Sequence, residues 1–334
     1  QLLFAQITPA LITGAFANRV TFKASLLFMV AWLMLVYFPV AHMVWGGGIL
    51  QQHGVLDFAG GIVVHATAGF AALAAVFYVG KRRVADAGLH SIPLVALGAG
   101  LLWFGWYGFN AGSELKVDPI TSLAFLNTDV AASFAAMTWL VLAWTIEKKP
   151  KFVGLLTGSI AGLAAVTPAA GFVTTGTAVF IGVGASVICY YAIWLKNRMQ
   201  WDDALDVWGV HGVGGVTGVI ALALCASKAV NPSSGGDGLL YRGADFFLTG
   251  AGAVVAAAIW ATLSPAVWSR DCSVSWATAG LVPLNSCITT ECGAVSAGLG
   301  GMVLVGVAEA ERIGATPLWR PPSPSAQNSP KPIA

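Results

Sequence analysis

The segment LDFAGGIVVHATAGFAAL, residues 56–73, opens on an acid, Asp57, sets a histidine, His65, two turns further on, and then runs into small residues. A second segment, LDVWGVHGVGGVTGV at 205–219, repeats that order with Asp206, His211 and glycines. An imidazole inside an apolar stretch is costly in lipid unless it faces a protein-lined path. Two of them on matched stretches therefore point to a route through a membrane, and the bland alternative, a histidine merely bonding a neighbouring helix, has to hold twice. Paired, glycine-interrupted segments are also what inverted halves of transporters bring together at a midplane site.

The rest of the chain fits this reading. Hydrophobic residues make up 57% of it, charged residues 10%, and the mean hydropathy is +0.77, which excludes an ordinary soluble domain. Apolar runs of roughly 20 residues, the length a helix needs to cross the hydrocarbon core, fall at about 1–17, 24–45, 57–80, 91–113, 120–145, 152–170, 173–196, 207–229 and 245–268. The runs lack the alternation of a lipid-embedded barrel, so helices are expected. The 40 glycines predict close helix packing.

Charge fixes the orientation. Arg19, Lys23, Lys81, Arg82, Arg83, Lys148, Lys149, Lys151, Lys196 and Arg198 lie in alternate loops, against Lys116, Lys228 and Arg242 in the intervening ones. The first set is expected on the cytoplasmic side. On this count 57–80 and 207–229 run in opposite directions, as an inverted pair should.

Asp57 and Asp206 stand at helix starts, where a carboxylate caps free N–H groups, and Asp57 is also close enough to His65 to favour a cation nearby. Trp45 ends a span at PVAHMVWGGG and Ser113 ends another at WFGWYGFNAGS, both on the outer side. Each alone reads as a belt residue or a cap. Together an indole face and a hydroxyl suit a cation vestibule worth about 0.5–2 kcal/mol. Cys189, Cys225, Cys272, Cys287 and Cys292 suggest free thiols rather than a disulfide framework. No cofactor, metal, nucleic-acid partner or enzymatic chemistry is expected.

Six ordered motifs carry a family resemblance: PVAHMVWGGG, DFAGGIVVHATAGF, WFGWYGFNAGS, FLNTDVAASFAA, GSIAGLAAVTPAAGF and DVWGVHGVGG. From Gln1 to about Trp268 the chain resembles the ammonium transporter (Amt/Mep/Rh) family, Amt branch. The resemblance implies an all-α membrane protein, a helical bundle of two inverted five-helix repeats with about nine of eleven helices present. It implies a membrane transport domain at 1–268, lacking its first two helices and part of the third, followed by an atypical C-terminal segment at 269–334, disordered from about 314. It further implies a homotrimer in the plasma membrane that carries ammonium, ammonia and methylammonium. Trp45, Ser113 and Asp57 then form the outer recruitment site, Phe4 and Phe109 a stacked gate, and His65 with His211 the pore and proton relay. A PII-type regulator is in doubt, because the acidic helical C-terminal region of the family is not recognisable. The rival readings are an ammonium sensor on the same fold, a Rh-like neutral gas channel and a membrane haem protein.

Overall fold

The computed structural model describes residues 1–83, 91–241 and 244–278, with only the backbone described for 244 and 264–278. They belong to one compact unit, Gln1–Gly293; a second, Ala294–Ala334, lies outside the described residues, and with it falls the expected disorder from about 314. The side chains of Cys272, Cys287 and Cys292 are likewise not described; Cys189 and Cys225 are free.

Among the described residues, besides the single turn Ile49–Gln52 and short 3-10 turns, nine longer helical segments follow one another: α1 Leu2–Phe16; α2 Phe22–Trp32, continuing through a π turn at Leu33–Tyr37 to Phe38–Trp45; α3 Gly61–Val79; α4 Ile92–Ala111; α5 Pro119–Glu147; α6 Phe152–Val166; α7 Thr175–Arg198; α8 Trp208–Cys225; and α9 Ala244–Thr278. Seven of the nine are long and apolar enough to cross a membrane, while α1 and α6 are shorter apolar helices. The chain is a multi-pass membrane protein. Local sequence sets the starts. The Thr21 hydroxyl accepts from Ala24 N, and Thr174 does the same for Thr177 N. Asp118 forms a capping box with Thr121 behind Pro119, whose missing N–H costs nothing at a first turn.

Helix α6 ends four residues before the expected boundary at 170. Pro168 follows, and the chain turns through 167–173 while still buried. Buried backbone outside a helix must find partners, and here side-chain amides supply them. Asn127 Nδ2 donates to the carbonyls of Ala170 and Val173, and Asn231 Nδ2 donates to that of Gly171.

Helix α3 lies at the centre, with 72% of its apolar window buried, and α4 at the periphery, with 6%. The centre is made by a close crossing of α3 and α8. A Cβ on Gly69 would stand 2.1 Å from Gly212 Cα, so the two backbones touch where no side chain fits. That contact carries His65 and His211 toward each other.

Candidate functional site

The two histidines begin from the same local device. Gly60 turns left-handed with φ +115°, a conformation glycine adopts without strain, and the chain enters α3 through a π turn, Gly61–Ala66, that ends one residue past His65. The Asp57 carboxylate caps this entrance: Oδ1 accepts from Gly60 N and Gly61 N at 2.8 and 2.6 Å, Oδ2 from Ile62 N and Val63 N at 2.7 and 3.1 Å. Helix α8 opens with a second π turn, Trp208–Gly212, holding His211. Its cap is Asp203, whose Oδ2 accepts from Trp208 N at 2.8 Å. Asp206, expected in that role, instead sits at φ +55° with its carboxylate 2.6 Å from Lys196 Nζ. Eight residues separate Asp57 from His65 and Asp203 from His211, so the repeat aligns on Asp203. The leucine-aspartate dipeptide shared by the two quoted segments drew the eye to the wrong acid.

The imidazoles are buried, at 1% and 8% exposure, and stack with centroids 5.2 Å apart. Their Nδ1 atoms lie 3.2 Å apart, so one ring donates and the other accepts. The Nε2 of His65 has no protein partner. Trp106, which the sequence reading passed over, stacks on His65 at 5.3 Å and lies within 1° of parallel to His211; its Nε1 donates to Thr167 Oγ1 and fixes the ring. Its place in WFGWYGFNAGS, three residues before Phe109, was the available signal.

Above the histidines stand the phenylalanines. Phe4 and Phe109 meet edge to face, centroids 4.4 Å apart and planes 81° apart, rather than stacked as expected; the ring quadrupole favours that arrangement over a face-to-face sandwich. Phe109 also lies 5.8 Å from His65, and Phe4 lies 5.7 Å from Trp45. The chain of rings runs from Trp45 to His211 without a break. At its outer end a cavity of about 390 Å³ is lined by Trp45, Asp57, Ser113 and Glu114 among others. Trp45 Nε1 donates to the Asp57 carbonyl at 2.7 Å, and Ser113 Oγ donates to the Phe109 carbonyl, which leaves the hydroxyl lone pairs as acceptors. The expected recruitment residues thus share one cavity, but the carboxylate of Asp57 is spent on backbone N–H groups.

At the opposite end, charges expected on the cytoplasmic side converge. Arg19 donates to the carbonyls of Gly80 and Asp202, each at 2.5 Å, and to that of Ala15. Arg82 grips the Asp202 carboxylate through Nε and Nη2, and Lys196 Nζ donates to the Asp203 carbonyl at 3.0 Å. Burial works against the charged form of Asp202, but Arg82 with Arg19 prevails and holds its pKa down at about 2. These links join the ends of α1, α3 and α7 to the segment leading into α8. Among the described residues no cluster of three potential metal ligands occurs.

Comparison with known proteins gives the family and the fold. The Ammonium Transporter Family model matches residues 1–269. An ammonium transporter of Bacillus subtilis is 49% identical over 243 residues, covering 72% of this chain and 60% of its own length. The crystal structure of Candida albicans Mep2 superposes with a TM-score of 0.77 at 36% identity, over 84% of this chain and 63% of that one. A sensor Amt protein gives a TM-score of 0.76 at 29% identity, over 87% of this chain and 76% of its own. The chain spans less than two thirds of the length of the first two.

Proposed function

We propose, from the premise that this chain belongs to the Ammonium Transporter Family, that it serves ammonium transport across the plasma membrane. In this reading the cation is gathered at the outer cavity, loses its proton, and crosses as ammonia along the histidine-lined path. The observation that carries it is the buried His65–His211 bridge with an unpartnered Nε2. A bare cation at the bilayer centre costs at least about 2.5–3.5 kcal/mol, whereas ammonia and its proton travelling separately avoid that cost.

The bridge moves a proton without moving an atom far. The ring that donates through Nδ1 keeps a free Nε2. A proton taken there makes it an imidazolium, its Nδ1 proton crosses the 3.2 Å bridge, and the second ring releases its own Nε2 proton. One proton has been transferred, and both tautomers are reversed. Trp45 offers a π face and Ser113 an acceptor to the arriving cation, Phe4 and Phe109 exclude bulk water, and Asp57 acts by holding the backbone that presents His65. The trimer rests on the family resemblance, with the exposed apolar face of α4 available for contact with lipid or a second subunit, and a PII-type regulator would have to act at the cytoplasmic end.

A sensor role is the second reading, favoured by the likeness to the sensor Amt protein. One experiment tests both. In vesicles containing the full-length protein we expect methylammonium uptake accompanied by charge, and we expect His65→Ala to abolish the substrate-dependent current while His65→Asp retains part of it. Equal charge per transported molecule in all three proteins would sink the relay. Methylammonium binding without flux in the wild type would favour the sensor.

A further inference from the structure

Most polar side chains around the outer cavity are already committed. Gln51 Oε1 accepts from Gly47 N, Asn231 is shared between the carbonyl of Gly171 and Ser233 N, and Asp57 receives four backbone N–H groups. Glu114 differs. It follows Ser113 directly, lines the same cavity, and its side chain is 11% exposed. Its partner is not backbone but Lys116, whose Nζ lies 3.0 Å from Glu114 Oε1 and 3.0 Å from Asp118 Oδ2. Lys116 is 63% exposed, and Asp118 already caps α5.

The chemistry of that partner is informative. Lys116 carries a primary alkylammonium, the same class of cation as methylammonium, and it meets a carboxylate at the edge of the cavity where such a cation would arrive. An exposed lysine holds such a pair loosely, because solvent screens it and its long side chain loses entropy in one pose. A carboxylate largely removed from solvent, as that of Glu114 is, attracts a nearby cation more strongly than an exposed one does. We propose that Glu114 is an affinity-determining residue of the outer vestibule and that Lys116 is its built-in competitor, released as a small alkylammonium takes its place. This rests on the transport reading above. Asp118 gives the released amine a resting partner, so exchange leaves no charge bare.

A purely structural triad, there only to pin the 112–118 turn, predicts that both substitutions act alike. Competition predicts that they act oppositely. In methylammonium uptake by the full-length protein at low ionic strength, we expect Glu114→Gln to raise the half-saturating concentration about 3- to 10-fold, the scale of one charge at a few ångströms in partly polar surroundings. We expect Lys116→Gln to lower it about 2-fold, and maximal flux to change little in either. Added salt should narrow the gap between the variants and the wild type. Movement of both variants in the same direction, or an unmoved half-saturation in Glu114→Gln, overturns the assignment. If Glu114→Gln fails to fold, Lys116→Gln decides alone, and an unchanged or raised half-saturation overturns it. Absence of any uptake by the wild type would instead bring down the transport reading on which the assignment stands.

Discussion

The entrance to α3 and the entrance to α8 are built alike and finished differently. Each has an aspartate eight residues before a histidine, a π turn that carries the histidine, and a side-chain donor that ties the carbonyl of the capping aspartate. At the outer end that donor is the indole of Trp45; at the inner end it is the ammonium of Lys196. An aromatic face attracts a cation, whereas a fixed amine already paired with Asp206 offers it nothing. The repeated frame thus places the two imidazoles by the same device, and in the proposed transport reading the difference between the two ties is what would make recruitment one-sided.

The frame itself should fail first when it is cut, and unequally. Asp57 accepts four buried N–H groups, while Asp203 accepts Trp208 N and leaves Oδ1 unpartnered. Leaving a buried donor unsatisfied costs about 1–3 kcal/mol, so Asp57→Ala should destabilise by several kcal/mol and Asp203→Ala by roughly a third to a half as much. Thermal unfolding of the full-length protein in detergent would measure both. Equal losses would mean that the two caps are energetically equivalent and that the comparison describes drawing rather than energy.

Much of this was legible beforehand. The nine apolar helices, seven of them long enough to cross a membrane, and the meeting of the matched histidines follow from hydropathy and motif order, because bilayer thickness and the cost of a buried imidazole act on the chain whatever its tertiary detail. What was not legible depended on conformation at single residues. Sequence likeness points to Asp206 as the cap, but Asp206 stands at positive φ with its carboxylate on Lys196. The end of α6 was placed too late because the amides of Asn127 and Asn231, distant in sequence, satisfy its buried continuation. For Trp106 the sequence offers only its place three residues before Phe109, which says nothing of His211; the crossing at Gly69 and Gly212 is what brings that ring to its plane.

Removing the outer tie tests the one-sidedness directly. Trp45→Leu should raise the half-saturating methylammonium concentration for transport from the outside about tenfold, equivalent to about 1.4 kcal/mol and within the range of a cation–π contact. Maximal flux should fall less, since the indole acts before the gate. Vesicles of defined orientation allow the same variant to be assayed from the inside, where half-saturation should stay put. A matching loss from both sides would show that Trp45 acts through the backbone of Asp57 rather than on the cation.

The smallest expected effect concerns the inner end, where the comparison can be sharpened by pH. Asp202 holds Arg19 and Arg82 together, and its pKa lies at about 2, below the roughly 3.9 of a free aspartate. A carboxylate lowered in the folded state stabilises the protein fully above the unfolded value, because both states are then ionised. As pH falls from about 4 to about 2 the unfolded chain takes up the proton first, and the stabilisation drains away over that window. Asp202 is partly open to solvent, so screening reduces its share to about 1 kcal/mol or less. Other carboxylates titrate in the same range, and the informative quantity is accordingly the difference between wild type and Asp202→Asn. We expect the wild type to unfold at the higher temperature near pH 6 and the two curves to converge toward pH 2. Nothing at the outer cavity touches this staple, so the Trp45→Leu curve should run parallel to the wild type, offset by the lost bond to the Asp57 carbonyl. Parallel curves for wild type and Asp202→Asn would show that the ion pairs to Asp202 add no stability and that the α8 entrance is held by the carbonyl contacts of Arg19, and the inner end would then owe its rigidity to geometry rather than charge.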